Sequence, residues 1–134
     1  MNWTDATQNA APARRHVLVV EDELMIRMLL EDMLADLGYT IAAEAGRIDE
    51  AITLAKNADF DVAILDVNLN GQTVSPVAEI LVERGLPFVF ATGYGERALP
   101  EPFRDRPMLL KPFQQEHLGR MLSRVFTGVP ALGK

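Results

Sequence analysis

Four places in this chain of 134 residues carry side chains whose chemistry would be complementary if they met: the acidic pair Glu21-Asp22, the lone Asp66, the hydroxyl of Thr92 and the ammonium of Lys111. Three carboxylates drawn together raise one another's pKa values unless a cation sits among them. Oxygen donors without His or Cys suit a hard ion, and a site with few carboxylates and room for water suits Mg²⁺. With an ammonium and a hydroxyl added, one carboxylate can act as a nucleophile while the remaining charges neutralise three phosphoryl oxygens. Asp carboxylates do form acyl phosphates, and phosphoryl transfer asks a protein mainly for positioning and charge neutralisation. Taken singly, each acid is more simply a solvated turn or cap residue. Only the set asks for convergence.

Each of these residues closes an apolar run. His16 to Val20 leads into Glu21, Val62 to Leu65 into Asp66, Pro87 to Ala91 into Thr92, and Met108-Leu109-Leu110 into Lys111. Short, continuous apolar runs are what strands covered on both faces look like. Thr40 to Ala45 supplies a further strand, second in the chain. Between the strands the period changes to that of helices. Ile26, Leu29, Leu30, Met33, Leu34 and Leu37 form one inward stripe, closed by Gly38, and Ile48, Ala51, Ile52 and Ala55 form another within Ile48 to Asn57. Ser75-Pro76 opens a third helix, with Ser as N-cap and Pro at the first helical position, running to about Arg84-Gly85. Leu118, Met121, Leu122, Val125 and Phe126 mark the inner face of the last. Pro100, Pro102 and Pro107 leave the fourth helix short or irregular, little more than a turn around Glu96 to Leu99.

The alternation predicts an α/β fold: a doubly wound, five-stranded parallel sheet in the flavodoxin-like order 2-1-3-4-5. Strands one and three are then neighbours, and ligands bind beyond the carboxyl ends of the strands. All of the singled-out residues lie on that rim.

The length fits one folded domain, over residues 15–127, with a flexible N-terminal arm over 1–14 and a loose tail over 128–134. A net charge of -6, with thirteen scattered Lys and Arg, argues against nucleic acid or an anionic membrane as partner. No run approaches a membrane span, and the N-terminus lacks the layout of a signal peptide. The absence of cysteine excludes disulfides and thiolate sites and suits a reducing compartment. The expectation is a cytoplasmic protein, a monomer or weak dimer. Trp3 reads as an incidental exposed aromatic, His16 and His117 as surface residues, and the charges between Glu96 and Arg106 as a solvated face.

In combination and order, Val-Leu-Val-Val-Glu21-Asp22-Glu23, Ile-Leu-Asp66-Val-Asn68-Leu, Ala91-Thr92-Gly93 and Lys111-Pro112-Phe113 resemble the receiver domain of two-component response regulators, from about His16 to Phe126. The resemblance implies that Asp66 accepts a phosphoryl group from a sensor histidine kinase or a histidine phosphotransferase. It implies that Asp22, Asp66 and the backbone carbonyl of Asn68 bind Mg²⁺, with Glu21 helping through water. Thr92 would hydrogen-bond the phosphoryl group as a switch and Lys111 would pair with it. A downstream regulator protein would read the result, because no effector domain is present. Self-dephosphorylation, rather than metabolic catalysis, would reset it. Receivers usually carry an aromatic residue three positions before the lysine, where this chain has Met108. Phe90-Ala91-Thr92-Gly93-Tyr94 resembles the signature of a subgroup, many of them single-domain, associated with general stress signalling, in which Tyr94 would take over part of the switching. Two other functions compete. An Asp-nucleophile phosphatase needs an acid two residues after the nucleophile, where Asn68 stands, and a phosphorylation-independent binding module has no need of the full set of acceptor-site residues.

Overall fold

A computed structural model describes residues 15–93, 99 and 101–127. The proposed arm, the proposed tail, Trp3, Tyr94 and Glu96 lie outside the described residues. The elements in chain order are β1 (His16–Val20), α1 (Leu24–Asp36), β2 (Thr40–Ala45), α2 (Ile48–Asn57), β3 (Val62–Asp66), a small hairpin of β4 (Asn68–Leu69) and β5 (Gln72–Thr73), α3 (Ser75–Arg84), β6 (Phe88–Thr92), a 3-10 turn (Glu101–Phe103), β7 (Met108–Leu110) and α4 (Gln115–Thr127). The main sheet is parallel throughout and runs β2-β1-β3-β6-β7. This is the expected order, with the hairpin taking two strand numbers.

The core explains why the strands are apolar without alternation. Successive strand residues point to opposite faces, and both faces are covered. On one, Leu18, Val20, Ala63, Leu65, Phe88 and Phe90 pack under α2 and α3, which contribute Ala51, Ala55, Val77, Ala78 and Leu81. On the other, Val17, Val19, Val62, Ile64, Val89 and Leu109 pack under Leu30 and Leu34 of α1 and Leu118, Met121 and Leu122 of α4. Each such aliphatic side chain contributes roughly 2 kcal/mol by leaving water.

Three boundaries differ from expectation. The third strand runs one residue further, so that Asp66 pairs with Ala91 inside the sheet and is only 6% exposed. β6 starts after Pro87 and includes Thr92, which pairs with Leu110. In α3 the N-cap is Val74, and Pro76 falls in the second helical position. The hydroxyl of Thr73 does the capping work expected of Ser75, accepting the Ser75 N–H at 3.3 Å. Leu29 also departs: the buried stripe of α1 centres on Leu30 and Leu34, which leaves Leu29 37% exposed at its margin.

Between Thr92 and β7 the described residues hold a single 3-10 turn, as three prolines require. It is anchored by Phe103, which meets Phe88 edge-on at 6.2 Å and Phe90 at 5.8 Å between ring centroids. Phe103→Ala should therefore destabilise the fold by about 3 kcal/mol, measured by denaturant unfolding; a loss below about 1 kcal/mol would mean that this connection is not anchored through its aromatic ring.

Candidate functional site

The site is assembled by strand register. Val20 pairs with Leu65, so the residues just beyond β1 and at the end of β3 emerge side by side. Glu21 extends the β1–β2 ladder by one bond, its N–H reaching the carbonyl of Ala45 at 2.9 Å, and is buried. Carboxylate oxygens of Glu21, Asp22 and Asp66 lie within 4.8 Å of one another. Among the described residues this is the one cluster of three or more potential metal-ligating side chains. Asp66 Oδ1 accepts the N–H of Asn68 at 3.2 Å, and Glu21 Oε2 accepts that of Glu23 at 3.1 Å.

Lys111 enters from the far side of the sheet. Its N–H donates to the carbonyl of Thr92 at 2.9 Å, and its Nζ sits 2.8 Å from Glu21 Oε1 and 3.2 Å from Asp66 Oδ2. The Lys111–Pro112 peptide is cis. The buried Thr92 completes the floor of an open cleft of about 810 Å³, whose walls include Asp22, Asp66, Asn68, Thr92 and Lys111.

Burial lifts the Asp66 carboxyl to about 7, and the negative charge of Glu21 adds to the rise; Lys111 and the Asn68 amide oppose it. Burial by itself would lower the Lys111 ammonium, yet its hydrogen bond to Glu21 and the charges of Asp66 and Glu21 more than offset this and hold it above the usual lysine value. Asp66 is thus a carboxylate whose ionisation is held back first by burial and then by the charge of Glu21. The donor set fits a hard divalent ion: it is all oxygen, with three carboxylates converging at the cleft and a single lysine beside them, two positive charges short of balance.

Glu21, Asp22, Asp66, Asn68, Thr92 and Lys111 all lie at this rim, while Tyr94 falls outside the described residues. What the sequence reading missed is the short Glu21–Lys111 pair and a second tether. Asn70, with φ 54°, donates its N–H to Asp22 Oδ2 at 3.1 Å and its side-chain Nδ2 to the carbonyl of Gly46 at 2.9 Å. The available signal was the Asn70-Gly71 dipeptide, which favours a two-residue hairpin turn. Met108 is half-buried against the core, and His16 and His117 are exposed, as expected.

Fold and site together define a doubly wound α/β protein with a carboxylate cleft at the carboxyl edge of its sheet. The chain belongs to the response regulator receiver domain family, whose model matches residues 17–123. Proteins of this family signal by phosphorylation within two-component systems and are not dedicated metabolic enzymes. The chain is 39% identical over 111 residues to the transcriptional regulatory protein PdtaR of Mycobacterium tuberculosis, covering 80% of this chain and 54% of that relative. It therefore spans about half the length of that protein. The solution structure of SdrG from Sphingomonas melonis Fr1 is 40% identical, with a TM-score of 0.77 over 87% of this chain and 99% of SdrG. The BeF3-activated conformation of SdrG matches at 39% identity and a TM-score of 0.71, over 92% and 100% of the two chains. The anti-anti-sigma factor PhyR from Bartonella quintana is 25% identical, with a TM-score of 0.76 over 87% of this chain and 49% of PhyR. Among the described residues no helix is long and apolar enough to cross a membrane.

The sign of the Asp66 shift sets a pH dependence. Its folded-state value lies above the ordinary carboxylate value, so its contribution to stability is fully present below about pH 4 and is lost as pH rises through about 7. In EDTA, Asp66→Asn should raise Tm at pH 8 by about 4 °C or more, and the gain should shrink at pH 5. An equal Tm for the two proteins at pH 8 would mean that the carboxylate is not under strain.

Proposed function

We propose that this chain is a phosphoryl-accepting switch in which Asp66 takes the group from a phosphohistidine on a sensor histidine kinase or histidine phosphotransferase. The observation that carries this reading is a carboxylate, Asp66, held 3.2 Å from an ammonium, beside two further carboxylates, at the floor of an open cleft. An oxygen of the ionised Asp66 attacks phosphorus, the P–N bond to the donor imidazole breaks with its electron pair leaving on nitrogen, and an acyl phosphate forms. Hydrolysis of that anhydride by water restores the carboxylate and releases inorganic phosphate.

Asp22, Asp66 and the Asn68 carbonyl would hold Mg²⁺, with Glu21 reaching it through water; the ion would supply neutralising charge to the phosphoryl oxygens. Lys111 stands within reach of any group attached to Asp66 and supplies the permanent positive charge. Thr92 offers a hydroxyl from the end of β6, the strand that leads into the connection ending at Pro107. Drawing Thr92 toward a new anion would bias that connection between two arrangements.

The readout is protein binding. A protein donor or reader must cover the mouth of the cleft, and α1 begins two residues after Asp22 with Leu24, Met25 and Met28 more than half exposed. Leu110 of β7, also half exposed, adds an apolar point on the strand-six to strand-seven side. A place in general stress signalling, with a downstream regulator as partner, is supported by the likeness to PhyR, described as an anti-anti-sigma factor. The phosphatase alternative gains no support: Asn68 is a neutral amide, and its Oδ1 is taken up by the N–H of Gly71 at 2.8 Å.

Incubation with Mg²⁺ and acetyl phosphate should add one phosphoryl mass to the intact protein, and Asp66→Asn should show none. Lys111→Ala should still gain the mass but lose the amide shift changes of residues 93–107 that phosphorylation produces in the parent. Sustained turnover of assorted phosphate esters, or a mass gain surviving in Asp66→Asn, would overturn the reading.

A further inference from the structure

Asn70 stands in an exposed two-residue turn, and an Asn-Gly turn alone accounts for its left-handed backbone. It does not account for where its hydrogen bonds go. The backbone N–H reaches 48 positions back to Asp22 Oδ2 at 3.1 Å. The side-chain Nδ2 reaches 24 positions back to the carbonyl of Gly46 at 2.9 Å. One residue thus joins three loops on the rim: the one after β1, which carries Asp22, the one after β2, which carries Gly46, and the hairpin after β3.

The order of these bonds matters. Asp22 is only half-buried, and a carboxylate on a loop would ordinarily sample several rotamers. Here Oδ2 is held by an amide whose own position is fixed on two sides. The hairpin pairs Leu69 with Gln72 beneath it, with the Gly71 N–H turned back onto Asn68 Oδ1, and the side-chain bond to Gly46 pins it laterally. Gly46 lies close to the same loop, since a Cβ built there would stand 3.8 Å from the Asp22 Cα.

We infer that Asn70 is a positioning residue for the acidic cleft: its side-chain bond to the Gly46 carbonyl holds the hairpin so that its backbone amide presets the Asp22 carboxylate toward Asp66, ready for a divalent cation. The inference rests on the reading of the cleft as a Mg²⁺-dependent acceptor. Partners of ligating groups of this kind typically contribute 10–100-fold to metal affinity.

Asn70→Gly separates the two roles, because glycine keeps the left-handed turn and removes only the side-chain amide. Asn70→Asp keeps the size but sets an anion against the Gly46 carbonyl and near Asp22. Calorimetric titration with MgCl₂ should show about a tenfold weaker Kd for both variants, with the Tm of the metal-free Asn70→Gly protein close to that of the parent. The Mg²⁺ concentration for half-maximal phosphorylation by acetyl phosphate should rise in parallel, while the rate at saturating Mg²⁺ recovers. If Asn70→Gly binds Mg²⁺ within twofold of the parent while Asp22→Asn loses binding, the clamp is overturned and the acceptor reading stands. If Asp22→Asn and Asp66→Asn also bind as the parent does, both fall.

Discussion

Three carboxylates cannot end up at the rim of a buried sheet without a counter-charge, and among the described residues it is the Lys111 ammonium, 2.8 Å from Glu21 and 3.2 Å from Asp66. Remove it, and the buried Glu21 and nearly buried Asp66 face each other uncompensated in a medium that screens poorly. With it, the cluster is tolerable but short of positive charge, since one ammonium faces three carboxylates, and burial together with the charge of Glu21 keeps the Asp66 value raised. That shortfall makes the cleft receptive. It favours a divalent cation, and it keeps the Asp66 carboxylate from being locked in a fully satisfied ion pair.

The sheet order dictates which residue type can do this. β7 is separated from β3 by β6, so the two lie roughly 10 Å apart at ordinary strand spacing. Thr92 pairs with Leu110, and Asp66 with Ala91, which sets Lys111 two positions further out along the rim than Asp66. A long, unbranched cation is needed to cross both gaps. The compact hydroxyl residue on the intervening strand leaves it room, and the bond from the Lys111 N–H to the Thr92 carbonyl fixes where the crossing starts.

Much of this was legible in the chain because apolar runs and helical stripes are local signals, and because each strand announces its rim residue. The alternation of strands and helices and the placing of Glu21, Asp22, Asp66, Thr92 and Lys111 at strand ends followed from those, while the order 2-1-3-4-5 came from the type of sheet rather than from any local signal. What was not legible depended on competition among neighbours. Spacing cannot say which of three carboxylates a lysine approaches most closely, so the Glu21 contact went unseen. Nor does it say that Thr73 rather than Ser75 satisfies the first turn of α3, since both offer a hydroxyl and stand only two positions apart. The role of Asn70 was hidden for a different reason: its partners are 24 and 48 positions away, and only the assembled rim brings them together.

The strand that leads into Lys111 is three residues long and sits at the edge of the sheet, paired on one side only among the described residues. Edge elements with few ladder bonds open at lower free energy than the centre of a fold. Peeling β7 away would withdraw the ammonium and leave the acids behind it mutually repelling, so fraying of a short segment and loss of charge balance are one event. Tightness at that edge and occupancy of the cleft are thereby linked: an anion fixed at the rim holds the ammonium and with it the outermost strand, a cation among the acids lowers the cost of its leaving, and a protein that grips that strand acts in turn on the acids.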